Sequence, residues 1–433
     1  LRGILAVLGS DANRKRIAVA TADGTLCPVE IAEWSTADRR AILWVKVPQI
    51  RPDQDTKLYL YFDPAHAEMT QYVGDTGEPA AQQVWSNGYA GVWHMKPNGG
   101  RVLDSTANGN HGTIYGATAT EGPLGRCLAF DGVDDYVSIP DSTSLSQTTT
   151  LTLEANIQTE TPHISTGAVT KGNAASTEDY MLYVTASGTM VSFYCWNAAG
   201  TSQSSSGGFN TYDGSPHYYA GVAGHGWMRL YADGSLHGKG EYPSLSIRDS
   251  GNPLYIGRGW SNNYFTGSFS YVAVSSVARS SAWIAAQNAV LHDTFVTYTY
   301  DGPLIARFST TPAHTLKVHC TDLSLGNPTS WHWDFGDGRT STEQNPTHTY
   351  ASPGTYTITL TVTNAHGTDT HSTTLHVAPP SSVSFTYTVD GPELATGTPI
   401  RFQGLISSDA TSWRWYFGDG ATSEERNPTH TYS

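Results

Sequence analysis

The sequence predicts an all-β chain assembled from several antiparallel β-sandwiches, and three observations carry that prediction. Residues 104–140, DSTANGNHGTIYGATATEGPLGRCLAFDGVDDYVSIP, alternate short apolar runs with turn chemistry. Asn108-Gly109 and Asn110-His111-Gly112 supply left-handed backbone positions, while Leu128, Phe130, Tyr136, Val137 and Ile139 fall in runs bounded by Gly, Asp and Pro. The segment TYTITLTVTN puts Tyr356, Ile358, Leu360 and Val362 on one face and threonines on the other, the pattern of a half-buried antiparallel strand. Finally, SWHWDFGDGRTSTEQNPTHTY at 330–350 returns as SWRWYFGDGATSEERNPTHTY at 412–432 without a gap, so one domain occurs twice.

At 433 residues the chain exceeds a single core and suits three or four domains. Aromatics at 11% with charged residues at only 14%, and 43 glycines, match β-rich extracellular modules. The net charge of -14 argues against a phosphate-backbone binder and favours a metal cation as charged partner. No apolar run reaches the roughly 18 residues of a membrane span. Leu1 opens without the basic and apolar regions of a signal peptide, so the expectation is a mature chain or a fragment. Cys27, Cys127, Cys195 and Cys320 are spread over three predicted domains and form no metal-binding pair. They read as buried thiols, with a Cys127 to Cys195 bridge inside the sandwich as the alternative.

In chain order, RIAVATADGTLCPVEIAEW, AILWVKVPQI and KLYLYFD are strand-like, with Asp23-Gly24 as a hairpin turn, and delimit a first domain at 1–75. Residues 71–83 are polar, with Gly, Pro and acids, and read as a linker. A second sandwich spans 84–292, and its serine-rich stretch 202–208 has no period, so it reads as a surface loop. It closes with SSAWIAAQNAVLH, where a Ser start and helical spacing of Trp283, Ile284, Gln287 and Leu291 predict a helix. The repeated domains occupy 295–378 and 382–433. In the first, Trp333 and Phe335 alternate into one core, Gly336-Asp337-Gly338 makes a tight turn and Asn345-Pro346 sets the next corner. The second copy reaches Ser433 before any counterpart of Tyr356, Ile358, Leu360, Val362, Leu375 and Val377. The expectation is therefore that the parent chain continues or that a neighbouring chain supplies those strands.

Three resemblances attach to these residues. GTIYGA, LxFDGVDDYVxIP, HYYAGV, RLYADGSL, PLYIGRG and FTGSFSYVAV resemble the laminin-G-like, concanavalin-like family, with Ser270-Tyr271 standing where that family has Asp-Glu. VEIAEW, WVKVP and LYLYF are similar to a domain of unknown function that precedes such domains in prokaryotic surface proteins, although Phe62-Asp63-Pro64 departs from its closing motif. The W-x-F-GDG, NP-x-H-x-Y and PGTYT motifs resemble the PKD (polycystic kidney disease) family, which implies immunoglobulin-like sandwiches beside the jelly-roll, concanavalin-like one. The resemblances imply a prokaryotic or viral surface protein.

Concanavalin-like sandwiches also include glycan hydrolases, which need two carboxylates roughly 5 to 10 Å apart. Glu154 in LTLEANIQTE is the nearest candidate, but Asn156 and Gln158 stand where its partner would be, so no enzyme is expected. For calcium, Asp104, Asn108 and Asn110 place three oxygen side chains in one loop, and Asp131, Asp134 and Asp135 crowd a second. Hydrogen-bonded Asx-turns are the alternative reading of both. Asp334 and Asp337 match positions that bind calcium in some PKD domains, although the second copy has Tyr416 at the first position. For sugar, Trp260 and Tyr264 bracket Asn262 and Asn263 in GRGWSNNYF, and inward packing of the rings is the alternative. His348 and His430 recur with their motif, which suggests a structural hydrogen bond.

The sequence thus supports a non-catalytic extracellular or virion-surface protein that binds a glycan or surface protein, with PKD repeats as a spacer stalk. A structural subunit that contacts copies of itself is the second reading, and an accessory region of a secreted hydrolase is the third.

Overall fold

A computed structural model describes residues 5, 8–50, 55–160, 165–172, 177–259, 263–294, 296–297, 303–311, 316–365, 367–377, 383–389, 397–406 and 413–432. Two compact units, Leu1–Tyr298 and Thr299–Ser433, divide the chain.

In the first unit, a nine-stranded and an eight-stranded antiparallel sheet stack face to face. The strand Leu151–Gln158 shows why they do. Leu151, Leu153, Ala155 and Ile157 point into the core between the sheets, where they meet Phe130, Val169, Phe193, Phe265 and Phe269. Thr152, Glu154 and Asn156 point the other way and are buried as well, because a second layer covers that face. This layer comprises the helix Ser281–Leu291, capped by Ser280 accepting from the Trp283 N–H, together with Ala32 and Trp44 of the N-terminal module. The predicted helix is therefore present, and it presses Ile284 and Leu291 onto Tyr218, Ala220 and Tyr271.

Two stretches depart from their sequence reading. Residues 71–83 are a structural joint: Val73–Asp75 pairs parallel with Val29–Ser35, and a short helix, Pro79–Gln82, buries Ala80 and Ala81. Polar and glycine content concealed a strand of only three residues. The carboxylate of Glu30 completes the joint by accepting from Thr76 Oγ1 at 2.6 Å, Ser105 Oγ at 2.7 Å and Trp85 Nε1. His94 Nε2 lies 3.1 Å from it, and this contact holds the fully enclosed carboxyl below its usual range against the upward push of burial.

The serine-rich stretch is the second departure, since Ser202–Gly208 is the edge strand of the nine-stranded sheet, paired along Met190–Trp196. Small side chains are required there because the edges of the two sheets pinch together. A Cβ at Gly207 would lie 2.6 Å from the His237 carbonyl, and one at Gly238 would lie 2.5 Å from the Ser206 carbonyl. Periodicity fails to reveal a strand made of residues chosen for size. All four cysteines are buried free thiols, so Cys127 and Cys195 are unbridged; burial pushes the Cys127 thiol up to about 11.

In the second unit, the first repeat packs Phe308–Thr310, Lys317–Asp322 and Thr347–Thr349 against a four-stranded sheet centred on Ser330–Asp334 and Gly354–Asn364. Trp333, Phe335, Ile358, Leu360 and Val362 are buried as their alternation requires. In the second repeat, Val383–Val389, Pro399–Ile406 and Thr429–Thr431 form one sheet, and Trp415–Tyr416 pairs with Thr422–Ser423. Its described residues hold no counterpart of the Gly354–Val377 hairpin, and Phe385, Tyr387 and Leu405 are exposed.

Candidate functional site

Three distant segments meet at one rim of the nine-stranded sheet: the end of Gly112–Tyr115, the start of Tyr136–Ile139 and the end of Leu254–Ile256. Pairing brings Tyr115 opposite Tyr136, and their rings stack 4.6 Å apart with planes 10° from parallel. Tyr255 meets Tyr136 edge-on at 5.9 Å, and Tyr264 approaches it at 6.2 Å. The Arg258 guanidinium lies over Tyr136 at 5.1 Å and over Tyr255 at 4.8 Å, a geometry that attracts a cation to a ring face. Burial raises the Tyr136 hydroxyl above its usual range, with Arg258 opposing. Tyr115 remains 45% exposed.

The turn Asp131–Asp135 is wedged against this cluster. At Gly116 a Cβ would fall 1.9 Å from Asp135 Oδ1, and at Gly257 one would meet Phe130 at 2.5 Å and the Asp135 carbonyl at 3.4 Å. Both glycines have positive φ, so close approach and backbone conformation exclude a side chain at either position. Carboxylate oxygens of Asp131, Asp134 and Asp135 lie within 4.8 Å of one another. Asp131 Oδ1 accepts from the Val133 N–H, and Asp135 Oδ2 from the Asp131 N–H. Burial raises the Asp135 carboxyl above its usual range, and the charges of Asp131 and Asp134 push it the same way. Carboxylates crowded in this way suit a hard cation, with remaining lone pairs to share among its six to eight oxygens.

The other sequence candidates are arranged differently. Asp104 is enclosed and accepts four hydrogen bonds, from the N–H groups of Val92, Thr106 and Asn110 and from Thr106 Oγ1. Asn108 and Asn110 both donate Nδ2 to the Ala90 carbonyl. In that loop the Asp104 carboxylate is thus engaged by backbone and hydroxyl donors of the protein. Asp334 accepts from the Gly336 N–H, while Asp337 Oδ2 pairs with His348 Nε2 at 2.8 Å, a contact repeated between Asp419 and His430. The recurring histidine serves this pair and stacks on Phe335 or Phe417. Trp260 and Asn262 lie outside the described residues. Asn263 donates Nδ2 to the Ser165 carbonyl and so anchors its loop. Glu154 is enclosed; its Oε2 accepts from Tyr218 at 2.8 Å.

Of the site candidates named from sequence, Asp131, Asp134, Asp135 and Tyr264 converge on the rim. Tyr115, Tyr136, Tyr255 and Arg258 were missed. Each lies within a short motif, YGA, DYV or LYIGR, but only strand pairing shows that they meet.

A two-sheet antiparallel sandwich and repeated immunoglobulin-like modules define an all-β, multidomain chain. Family comparison agrees: residues 131–285 match the concanavalin A-like lectin/glucanases superfamily, and residues 306–378 and 386–433 match the PKD domain. The chain therefore carries a concanavalin-like domain and PKD domains. It is 49% identical over 61 residues to the pre-pro-metalloprotease PrtV of Vibrio cholerae, covering 14% of this chain and 7% of that protein. It is 53% identical over 47 residues to the collagenase ColA of Bacillus cereus, covering 11% and 5%. The solved PKD1 domain of the Vibrio cholerae metalloprotease PrtV is 42% identical and covers 18% of this chain and 98% of that one, with a TM-score of 0.17. The chain thus spans less than a tenth of those two full-length relatives. No described helix is long and apolar enough to cross a membrane.

Proposed function

We propose that the chain is a non-catalytic, extracellular binding region, accessory to a secreted hydrolase, in which the concanavalin-like domain holds a polymeric target and the PKD domains act as spacers. The observation that carries this reading is the division of chemistry between the two faces of the sandwich. The carboxylate nearest to a catalytic type, Glu154, is sealed beneath the helix and the N-terminal module, whereas tyrosine, arginine and aspartate gather on an outward rim. Relatives named as a metalloprotease and collagenases support the accessory setting over adhesion alone. Calcium at Asp131, Asp134 and Asp135 would draw these carboxylates together and fix the rim; the chain's own residues would contact the target. The test is depletion of the full chain from solution by insoluble polymers, with soluble products assayed alongside. Retention without product release supports the reading; product release from any polymer overturns it, and self-association without retention favours the structural-subunit reading.

A further inference from the structure

Resting on that reading of the rim, we infer that its target is a neutral, polyhydroxylated glycan chain, one ring of which stacks on the exposed Tyr115. Three features of the geometry select this class. First, Tyr115 and Tyr136 are in mutual contact at 4.6 Å and nearly parallel, so there is no slot between them. A proline-rich segment docks into grooves between separated aromatics, and this pair offers none. What it offers is one flat apolar face, on the 45% exposed Tyr115, backed by a second ring. The carbon-bound hydrogens of a sugar ring match such a face.

Second, the hydrogen-bonding groups around the face have mixed sign. Arg258 lies over two of the rings, and the exposed Asp131 and Asp134 stand in the turn that leads into the strand Tyr136–Ile139. Where no cation neutralises this turn, an anionic polymer would meet its carboxylates at close range, in a chain of net charge -14. Sugar hydroxyls donate and accept, so they can bond guanidinium and carboxylate together.

Third, directly paired residues share a sheet face, so Thr113, Ser138 and Tyr255 form a row of hydroxyls across three adjacent strands. Adjacent strands lie about 4.8 Å apart, comparable to the length of one sugar ring. A glycan running across the strands from Tyr115 would therefore find a hydroxyl partner at each step.

The experiment compares retention of the full chain and its variants by immobilised neutral arabinan and xylan, anionic polygalacturonate, and gelatin. The expected result is retention by a neutral glycan, weakened about five- to tenfold by Tyr115→Ala. Tyr115→Phe should retain most of the affinity, because it keeps the ring. Tyr59→Ala, on a different exposed tyrosine, should leave it unchanged. Unaltered melting temperatures separate lost contacts from lost folding. Retention by gelatin or polygalacturonate alone, weakened by Tyr115→Ala, would overturn the glycan class while keeping the rim as the site. Glycan retention indifferent to Tyr115→Ala would overturn the location, and failure of every polymer to retain the chain would overturn the binding reading itself.

Discussion

Replacing Glu154 by Gln should change how the stability of the chain depends on pH. Glu154 has no solvent exposure, and its Oε1 has no hydrogen-bond partner. Burial raises its carboxyl from an ordinary 4.5 to about 7, although the Tyr218 hydroxyl and Arg279 oppose the shift. The folded chain thus holds a proton that the unfolded chain has released at the same pH. Native stability must fall as pH rises from about 4.5 to about 7 and then level off. At about 1.4 kcal/mol per pH unit, the loss across that window is about 3 kcal/mol. For a unit of this size that corresponds to a fall of about 5–10 °C in melting temperature. Gln keeps an acceptor for Tyr218 and cannot ionise, so Glu154→Gln should remove the slope and be the more stable form at pH 8. Calorimetric melting of both forms at intervals from pH 4 to pH 8 measures this. Parallel curves would refute the argument, by showing that water reaches the carboxyl or that the second layer opens before it titrates.

Further outcomes follow from the same contacts. Asp104→Ala should destabilise the chain by about 3 kcal/mol or more, because four donors lose their acceptor in a buried loop; the loss should be equal with and without chelator in calorimetry. Calcium should raise the melting temperature by mass action if Asp131, Asp134 and Asp135 hold it, and Asp134→Asn should abolish the rise. In the first PKD domain, the His348 contact outweighs burial and holds the Asp337 carboxyl below its usual range. The stability it contributes is present at neutral pH and lost as pH falls through that lowered value, so Asp337→Asn should flatten the acid limb of the unfolding curve.

The fold was legible where one physical requirement dominates a stretch of chain. Alternation in TYTITLTVTN, the Ser280 cap and the exact return of W-x-W-x-F-GDG each report burial or turn geometry locally, and the structure has them. The strand Ser202–Gly208 was illegible because its residues are set by the approach of His237 from the opposite sheet, which no local pattern encodes. The rim was half legible for a similar reason. Crowded aspartates in DGVDD are visible in sequence, whereas the meeting of Tyr115, Tyr136 and Tyr255 depends on strands more than a hundred residues apart becoming neighbours. At Asp104 the sequence shows the clustered oxygens but not the convergence of the Val92, Thr106 and Asn110 N–H groups on its carboxylate, which depends on a neighbouring strand.

Hydroxyl-radical footprinting of the full chain with and without a retained polymer tests most directly whether the rim is the binding site. Protection should appear at Tyr115, Tyr136, Tyr255 and Tyr264, while the exposed Tyr59, Tyr61 and Tyr416 keep their reactivity. Protection confined to Tyr59 and Tyr61, or unchanged reactivity at Tyr115 while the polymer is bound, would contradict the account.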